Sequence, residues 1–224
     1  MSANLFTPTD QHDFFLQAGR WFTEAAKLGV DFDLPDKLSL PGNRPTILAG
    51  NHRSLFDLVA TMAIFTKFGV SSRIQVRADL MESGPGAAFL RRLGCIPTSS
   101  AKRESAEKTS VEAVGNGQLL SLMPEGRLHK PSDWVRGVGA PRSGISRIAL
   151  ATDAVVVPVA FSGTEKVWPR GKAPKIQFPR PKVMIRIGPA IELTSTDHDE
   201  NARMVMRGIS DALAEMGDVH ALAD

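Results

Sequence analysis

The sequence has one cysteine, Cys95, and no tyrosine among its 224 residues. A single thiol excludes an internal disulfide and any multi-cysteine zinc site, and it fits a reducing compartment. The longest apolar stretches, Leu58–Phe65 and Ala154–Phe161, fall far short of the ~20 residues that span a bilayer. No charged-then-apolar export signal is visible at the start. The expected location is cytoplasmic, or peripheral on the cytoplasmic face of a membrane. Repeats and low-complexity tracts are also missing. With 42% hydrophobic and 23% charged residues, the composition excludes disorder, collagen and coiled coil. The length suits one full-sized domain with a small appendage, since domains run to about 150 residues. A chain of this size buries most of its unfolded surface without staples.

Net charge is only +3, but it is unevenly placed. Between Glu165 and Ile187 stand Lys166, Arg170, Lys172, Lys175, Arg180, Lys182 and Arg186 against a single acid. A strip of this kind suits an anionic partner such as a membrane surface or a phosphorylated cofactor. A solvated loop rich in Lys and Pro explains it as well. Nucleic acid is a poor fit, because the strip lacks the regularly spaced aromatics of a single-strand platform.

The periodicities alternate between strand and helix. Asp10 to Leu28 reads as an amphipathic helix, with Phe14, Phe15, Ala18, Trp21, Phe22, Ala25 and Leu28 at three- and four-residue spacings. Its aromatics suit either a core-covering face or insertion into a lipid interface. Pro35, Pro41 and Gly42 make Asp33 to Arg44 a loop or edge strand. Strands are expected at Thr46–Ala49, Arg73–Ala78, Gln118–Met123, Ala154–Phe161 and Lys182–Ile187, with Ile96 in a short strand or turn. Helices are expected at Leu55–Phe68, Gly84–Leu93, Glu104–Val114 and Ser143–Thr152. A last helix starts near Thr196, with Ala202, Val205, Met206, Ile209 and Leu213 on its core face. This order indicates an α/β fold: a mixed, largely parallel central sheet flanked by helices, with an N-terminal amphipathic helix. Residues 1–33 would form the helical segment and 34–224 the main domain. The short, apolar, unalternating strands suit positions covered on both faces. Chemistry in such sheets sits at strand ends and in the turns that lead into helices.

One such turn is Gly50-Asn51-His52-Arg53-Ser54-Leu55-Phe56-Asp57. Ser54 is a natural N-cap, which places Asp57 at the third helical position. Residues five apart lie about 140° apart around an ideal helix, so His52 and Asp57 meet only if His52 precedes the cap. Asp57 would then fix the imidazole tautomer and leave the other ring nitrogen free as a general base. The competing explanation is a capping box in which Asp57 merely satisfies backbone donors, worth roughly 1 kcal/mol. A second turn is Met123-Pro124-Glu125-Gly126-Arg127. There Glu125 could hold a hydroxyl, Gly126 permits close backbone approach, and Arg127 could bind phosphate, or the set is a turn with a surface ion pair. A third, Arg136 to Gly144, reads as an anion-binding loop or as a capped loop. It is neither a Walker loop nor a dinucleotide fingerprint. The run Asp197-His198-Asp199-Glu200 is explained by the helix dipole rather than by a metal.

Together the pieces resemble the glycerolipid acyltransferase superfamily, whose best-known members acylate 1-acylglycerol-3-phosphate. Asn51-His52 followed by Asp57 is similar to that family's first block. Val76-Arg77-Ala78-Asp79-Leu80 through Leu90–Pro97 resembles the second, Pro124-Glu125-Gly126-Arg127 the third, and Val157-Pro158-Val159-Ala160 the fourth. The resemblance implies acyl transfer from acyl-CoA or acyl carrier protein to a lipid alcohol. His52 would be the base and Asp57 its orienting partner. Asn51, Arg53, Arg77, Lys102, Arg103, Glu125, Gly126 and Arg127 would contact substrate. It implies no metal and no cofactor beyond the donor substrate. Two departures lie on the acceptor side. Ser100 stands where the family places an Arg after the Pro, with Lys102 and Arg103 just beyond, and the third block lacks its Thr. Lysophosphatidate is the default acceptor. A phosphate-free acceptor, thioester hydrolysis and a non-catalytic basic binding module stand as alternatives, and the oligomeric state is left open.

Overall fold

The alternating periodicities become alternating elements. The computed structural model describes residues 9–42 and 44–222. In chain order it contains α1 (Thr9–Lys27), β1 (Asp31–Asp33), β2 (Thr46–Gly50), α2 (Asp57–Phe68), β3 (Arg73–Arg77), α3 (Gly84–Arg92), β4 (Ile96–Thr98) and α4 (Arg103–Gly115). Then follow β5 (Leu120–Leu122), α5 (Gly144–Thr152), β6 (Val155–Ser162), the single turn α6 (Thr164–Val167), β7 (Lys182–Ile187), α7 (His198–Glu215) and α8 (Val219–Leu222). Among the described residues, no helix is long and apolar enough to cross a membrane.

The strands form one seven-stranded sheet in the order β1-β7-β6-β2-β5-β3-β4. Every neighbouring pair is parallel except β6 with β7. This is the largely parallel sheet expected from the sequence. β2 and β6 are buried at every position, which is why their sequences show no polar alternation. Period-two geometry sends Val156 and Ala160 of β6 into one core, and Val157, Val159 and Phe161 into the other. The first core is closed by α4, α5 and α7, and the second by α1, α2 and α3. Pro158 sits inside β6, opposite Ala49 of β2. Its missing N–H falls where β7 has given way to a bend, whose Gly188 N–H donates to the Pro158 carbonyl at 2.8 Å.

Local chemistry sets the ends of the helices. Gly69 takes a left-handed conformation and stops α2 by donating to carbonyls of the last turn. Asp197 caps α7, its side chain accepting from the N–H groups of Asp199 and Glu200. All five residues expected on the core face of α7 are buried.

The N-terminal helix divides its aromatics. Phe15 is fully buried and meets Phe65 edge-on, while Trp21 and Leu28 remain largely exposed. A Cβ on Gly19 would stand 2.1 Å from Thr66 Oγ1, so glycine is what lets α1 lie close on α2. Side chains of α1 thus pack into the same core as the rest, and β1 extends the sheet beside β7. Residues 1–8 of the expected 1–33 segment lie outside the described residues.

The parallel set β2, β5, β3 and β4 points its C-terminal ends to one edge. His52 follows β2, Glu125 follows β5, Arg77 ends β3, and Lys102 and Arg103 follow β4.

Candidate active site

Beyond β2 the chain runs extended for a few residues before α2, so successive side chains diverge. Asn51 turns inward. Its Oδ1 accepts from the Phe161 N–H at 2.8 Å and its Nδ2 donates to the Phe161 carbonyl at 2.9 Å, which fastens the end of β2 to β6. His52 turns outward, with about a fifth of its side chain exposed. Arg53 is fully buried.

Asp57 opens α2 and draws this loop together. Its Oδ2 accepts from His52 Nδ1, from the Arg53 N–H and from the Ser54 N–H, each at 2.9 Å. Ser54 does not cap the helix as its position suggested. Its hydroxyl accepts from the Phe56 N–H and donates to the Trp168 carbonyl, and the helix starts at Asp57. Thus the two readings of Asp57, backbone cap and imidazole partner, hold together. Backbone N–H groups can only donate, so Oδ2 is an acceptor and Nδ1 must carry its proton. Nε2 is then the basic nitrogen of the neutral ring, and no group among the described residues bonds it.

Glu125 joins the second turn to the first. Its Oε1 accepts from the His52 backbone N–H at 3.0 Å. The residue is almost fully buried, and its Oε2 has no partner. Burial pushes its pKa up to about 7, against the lowering effect of the nearby His52 and Gly139 backbone N–H groups. Gly139 has to be glycine: a Cβ there would stand 2.5 Å from His129 Cδ2 and 2.6 Å from Glu125 Oε2. His129 is buried too, and its Nε2 is unpartnered. Gly126 takes a positive φ of 66° that favours glycine. Arg127 is exposed at the rim.

Other expected substrate contacts are placed elsewhere. Arg53 donates to the Gly137 carbonyl through Nε and Nη2, and forks onto both oxygens of Asp218 at 2.7 and 3.1 Å. Its guanidinium also lies 4.5 Å from the centre of the Trp134 ring. This clamp ties the His52 loop to the C-terminal turn and has no surface to offer a ligand. Arg77 pairs with Asp79 on the surface. Lys102 and Arg103 follow β4, three strands from β2, or ~14 Å at the usual inter-strand spacing. The basic strip is partly neutralised. Arg180 pairs with Asp31, and Lys182 and Arg186 pair with Asp33, an arrangement that binds β7 to β1. Arg186 and Lys182 hold Asp33 below the usual carboxylate range, chiefly through their hydrogen bonds to it. The loop from Arg136 to Gly144 gives close passage to side chains from other elements. Gly137 and Gly139 let Arg53, Glu125 and His129 come close. Asp218 carries no signal in the sequence, and Gly137 and Gly139 read there only as part of an anion-binding or capped loop, not as the clearance for Arg53, Glu125 and His129.

An apolar cavity lies between the sheet and α2, directly behind the His52 turn. Gly50, Phe65, Met123, Val159, Phe161 and Ile187 are among its walls. A base, an unpartnered acceptor oxygen and an apolar slot thus share one strand edge.

Comparison with known proteins bears on this arrangement. The Acyltransferase family model matches residues 32–162, more than half of the chain. No curated protein sequence matches. Among solved structures, the crystal structure of the 1-acyl-sn-glycerophosphate (LPA) acyltransferase PlsC from Thermotoga maritima superposes with a TM-score of 0.67 at 20% identity. The match covers 92% of this chain and 78% of that one, and it shows a shared fold.

Proposed function

The chain belongs to the acyltransferase family, and we propose that it moves a fatty acyl group from an acyl-CoA or acyl carrier protein thioester to the hydroxyl of a lipid acceptor. The observation that carries this reading is the His52–Asp57 pair. Nδ1 of His52 donates to a carboxylate oxygen that two backbone N–H groups already hold in place. Nε2 takes the acceptor's hydroxyl proton as that oxygen bonds to the thioester carbonyl carbon. Asp57 stabilises the imidazolium that results. When the tetrahedral intermediate collapses, the C–S bond breaks. The imidazolium returns its proton to the sulfur, and a free thiol leaves. The thioester is already activated, so no cofactor enters the balance.

Glu125, through Oε1, holds the His52 backbone in place, and Arg127 lies on the rim. The apolar cavity behind Gly50 has a volume of about 40 Å³ and would have to widen to take an acyl chain. Lysophosphatidate is the acceptor we favour, since the Thermotoga protein of the same fold is an acyltransferase for that substrate. A peripheral membrane position is supported by the loop after α6. Ile176 and Phe178 stand almost fully exposed there among Arg170, Lys172 and Lys175, and Arg180 of the same loop donates to the Lys27 carbonyl at the end of α1.

Incubation with lysophosphatidate and an acyl-CoA, followed by mass spectrometry of the lipids, tests the reading. It requires a product heavier than the acceptor by one acyl group. Free fatty acid with no acylated lipid would instead establish a hydrolase.

A further inference from the structure

A second cavity opens on the other face of the sheet. Its volume is about 350 Å³, against about 40 Å³ for the one behind Gly50. Small-molecule sites run to roughly 300–1,000 Å³. The walls of the first cavity belong to the core that α1, α2 and α3 close. Val138 and Met206, which line the second, belong to the core closed by α4, α5 and α7. One wall is a strap, residues 135–141, in which Val135 and Val138 exchange backbone hydrogen bonds at 2.8 and 3.2 Å. The other wall is α7. Three- and four-residue spacings put Arg203, Met206, Arg207 and Ser210 on one face of that helix. The lining is mostly apolar, with Val135, Val138, Ala140, Pro141 and Met206.

Two polar groups in this lining have no partner among the described residues. Ser210 is almost fully buried. A buried helical serine commonly returns its hydroxyl to the carbonyl four residues back, as Ser110 does to Ala106; Ser210 makes no such bond. Arg207 is exposed and has neither an acid nor an acceptor. The other charges of the lining are engaged. Arg136 pairs with Asp211 and Arg203 with Asp197, and Asp133 accepts from the Lys130 N–H and the Ser132 hydroxyl. An apolar space with one free cation and one free hydroxyl matches an amphiphile with an anionic head. A single free arginine balances a single charge, which favours a carboxylate over a phosphate.

We propose that this cavity is a ligand site for a fatty carboxylate. The chain lies among Val135, Val138, Pro141 and Met206, and the carboxylate accepts from the Arg207 guanidinium and the Ser210 hydroxyl. The same strap meets the catalytic turns: the Gly137 carbonyl accepts from Arg53, and Gly139 stands against His129 and Glu125. The site does not rest on the acyl-transfer reading, and binding tests it without turnover.

The test is a titration of the intact protein, labelled with carbon-13 at its methionine methyl groups, with decanoate below its micellar concentration. Met206 lines this cavity and Met123 the one behind Gly50, so one NMR spectrum reads both, with Met206→Leu and Met123→Leu to assign the signals. The Met206 signal should move saturably with decanoate, and at least tenfold less tightly with decanol, the difference a charge-assisted hydrogen bond makes. Arg207→Gln changes an exposed side chain and should weaken decanoate at least tenfold while leaving decanol as it was. Ala140→Phe, which fills the cavity from the strap, should weaken both. A response confined to Met123, or none at either methionine, would overturn the proposal. So would equal affinities for decanoate and decanol that Arg207→Gln leaves unchanged.

Discussion

Replacing Asp57 by Asn separates the two tasks its side chain performs. Oδ2 receives three N–H donors at 2.9 Å, and Oδ1 is buried without a partner. The donors from Arg53 and Ser54 are backbone and cannot turn away, so the amide oxygen must occupy the Oδ2 position. The amide NH2 then falls at Oδ1, where no acceptor waits. An unsatisfied buried donor costs roughly 1–3 kcal/mol, a drop of about 2–12 °C in Tm for a domain of this size. The ring keeps its proton on Nδ1, and only the negative charge is lost. An opposite charge at this range is worth up to about 4 kcal/mol at the effective dielectric of a protein surface. With ~1.4 kcal/mol per decade, kcat should fall about 10²–10³-fold. That is less than the ~10⁴-fold seen when the same change flips the tautomer in a serine protease triad. Thiol release from acyl-CoA and a thermal melt, run on the same preparation, read both effects. A drop in Tm with less than a tenfold loss of kcat would reduce Asp57 to a backbone cap and refute the orienting role.

The site makes three more predictions. Glu125 binds its proton more tightly in the fold than at its ordinary 4.5, with a pKa of about 7. Its contribution to stability is therefore full below pH 4.5 and is lost as pH rises through 7, by up to about 3 kcal/mol. Urea unfolding of Glu125→Gln should show that much less destabilisation between pH 4.5 and 8; an unchanged pH slope would contradict it. Arg53→Met strands Asp218 in the core and should cost about 3–5 kcal/mol, and a shift in urea midpoint worth under 1 kcal/mol would contradict the clamp. Gly139→Ala puts a methyl against His129 and Glu125 and should cost about 1–3 kcal/mol and lower kcat at least tenfold. Wild-type rates would show that Glu125 does not need its present position.

Much of this was legible in the residues because it is local. The apolar run of β6, the core face of α7 and the turns after β2 and β5 each follow from a few neighbouring residues. So does the meeting of His52 and Asp57, once His52 is placed ahead of the helix. The misplaced expectations concern side chains whose partners lie far along the chain. Asn51 and Arg53 flank His52 in sequence, but an extended backbone sends them elsewhere, to Phe161 and to Asp218. The strip from Lys166 to Arg186 reads as a continuous basic surface until the pairing of β1 with β7 brings Asp31 and Asp33 against it. Helix starts shift for a related reason: the hydroxyl of Ser54 finds Trp168 across the fold, and the helix starts at Asp57.

The most direct measurement is alcohol-dependent thiol release by His52→Ala. The side chain is partly exposed and its removal takes away little buried volume, so the melt should stay within about 2–4 °C of wild type, the shift that 1 kcal/mol produces. Thiol release in the presence of lysophosphatidate should fall to background. A folded variant that still acylates the lipid at a rate near wild type would contradict the claim that this imidazole is the base.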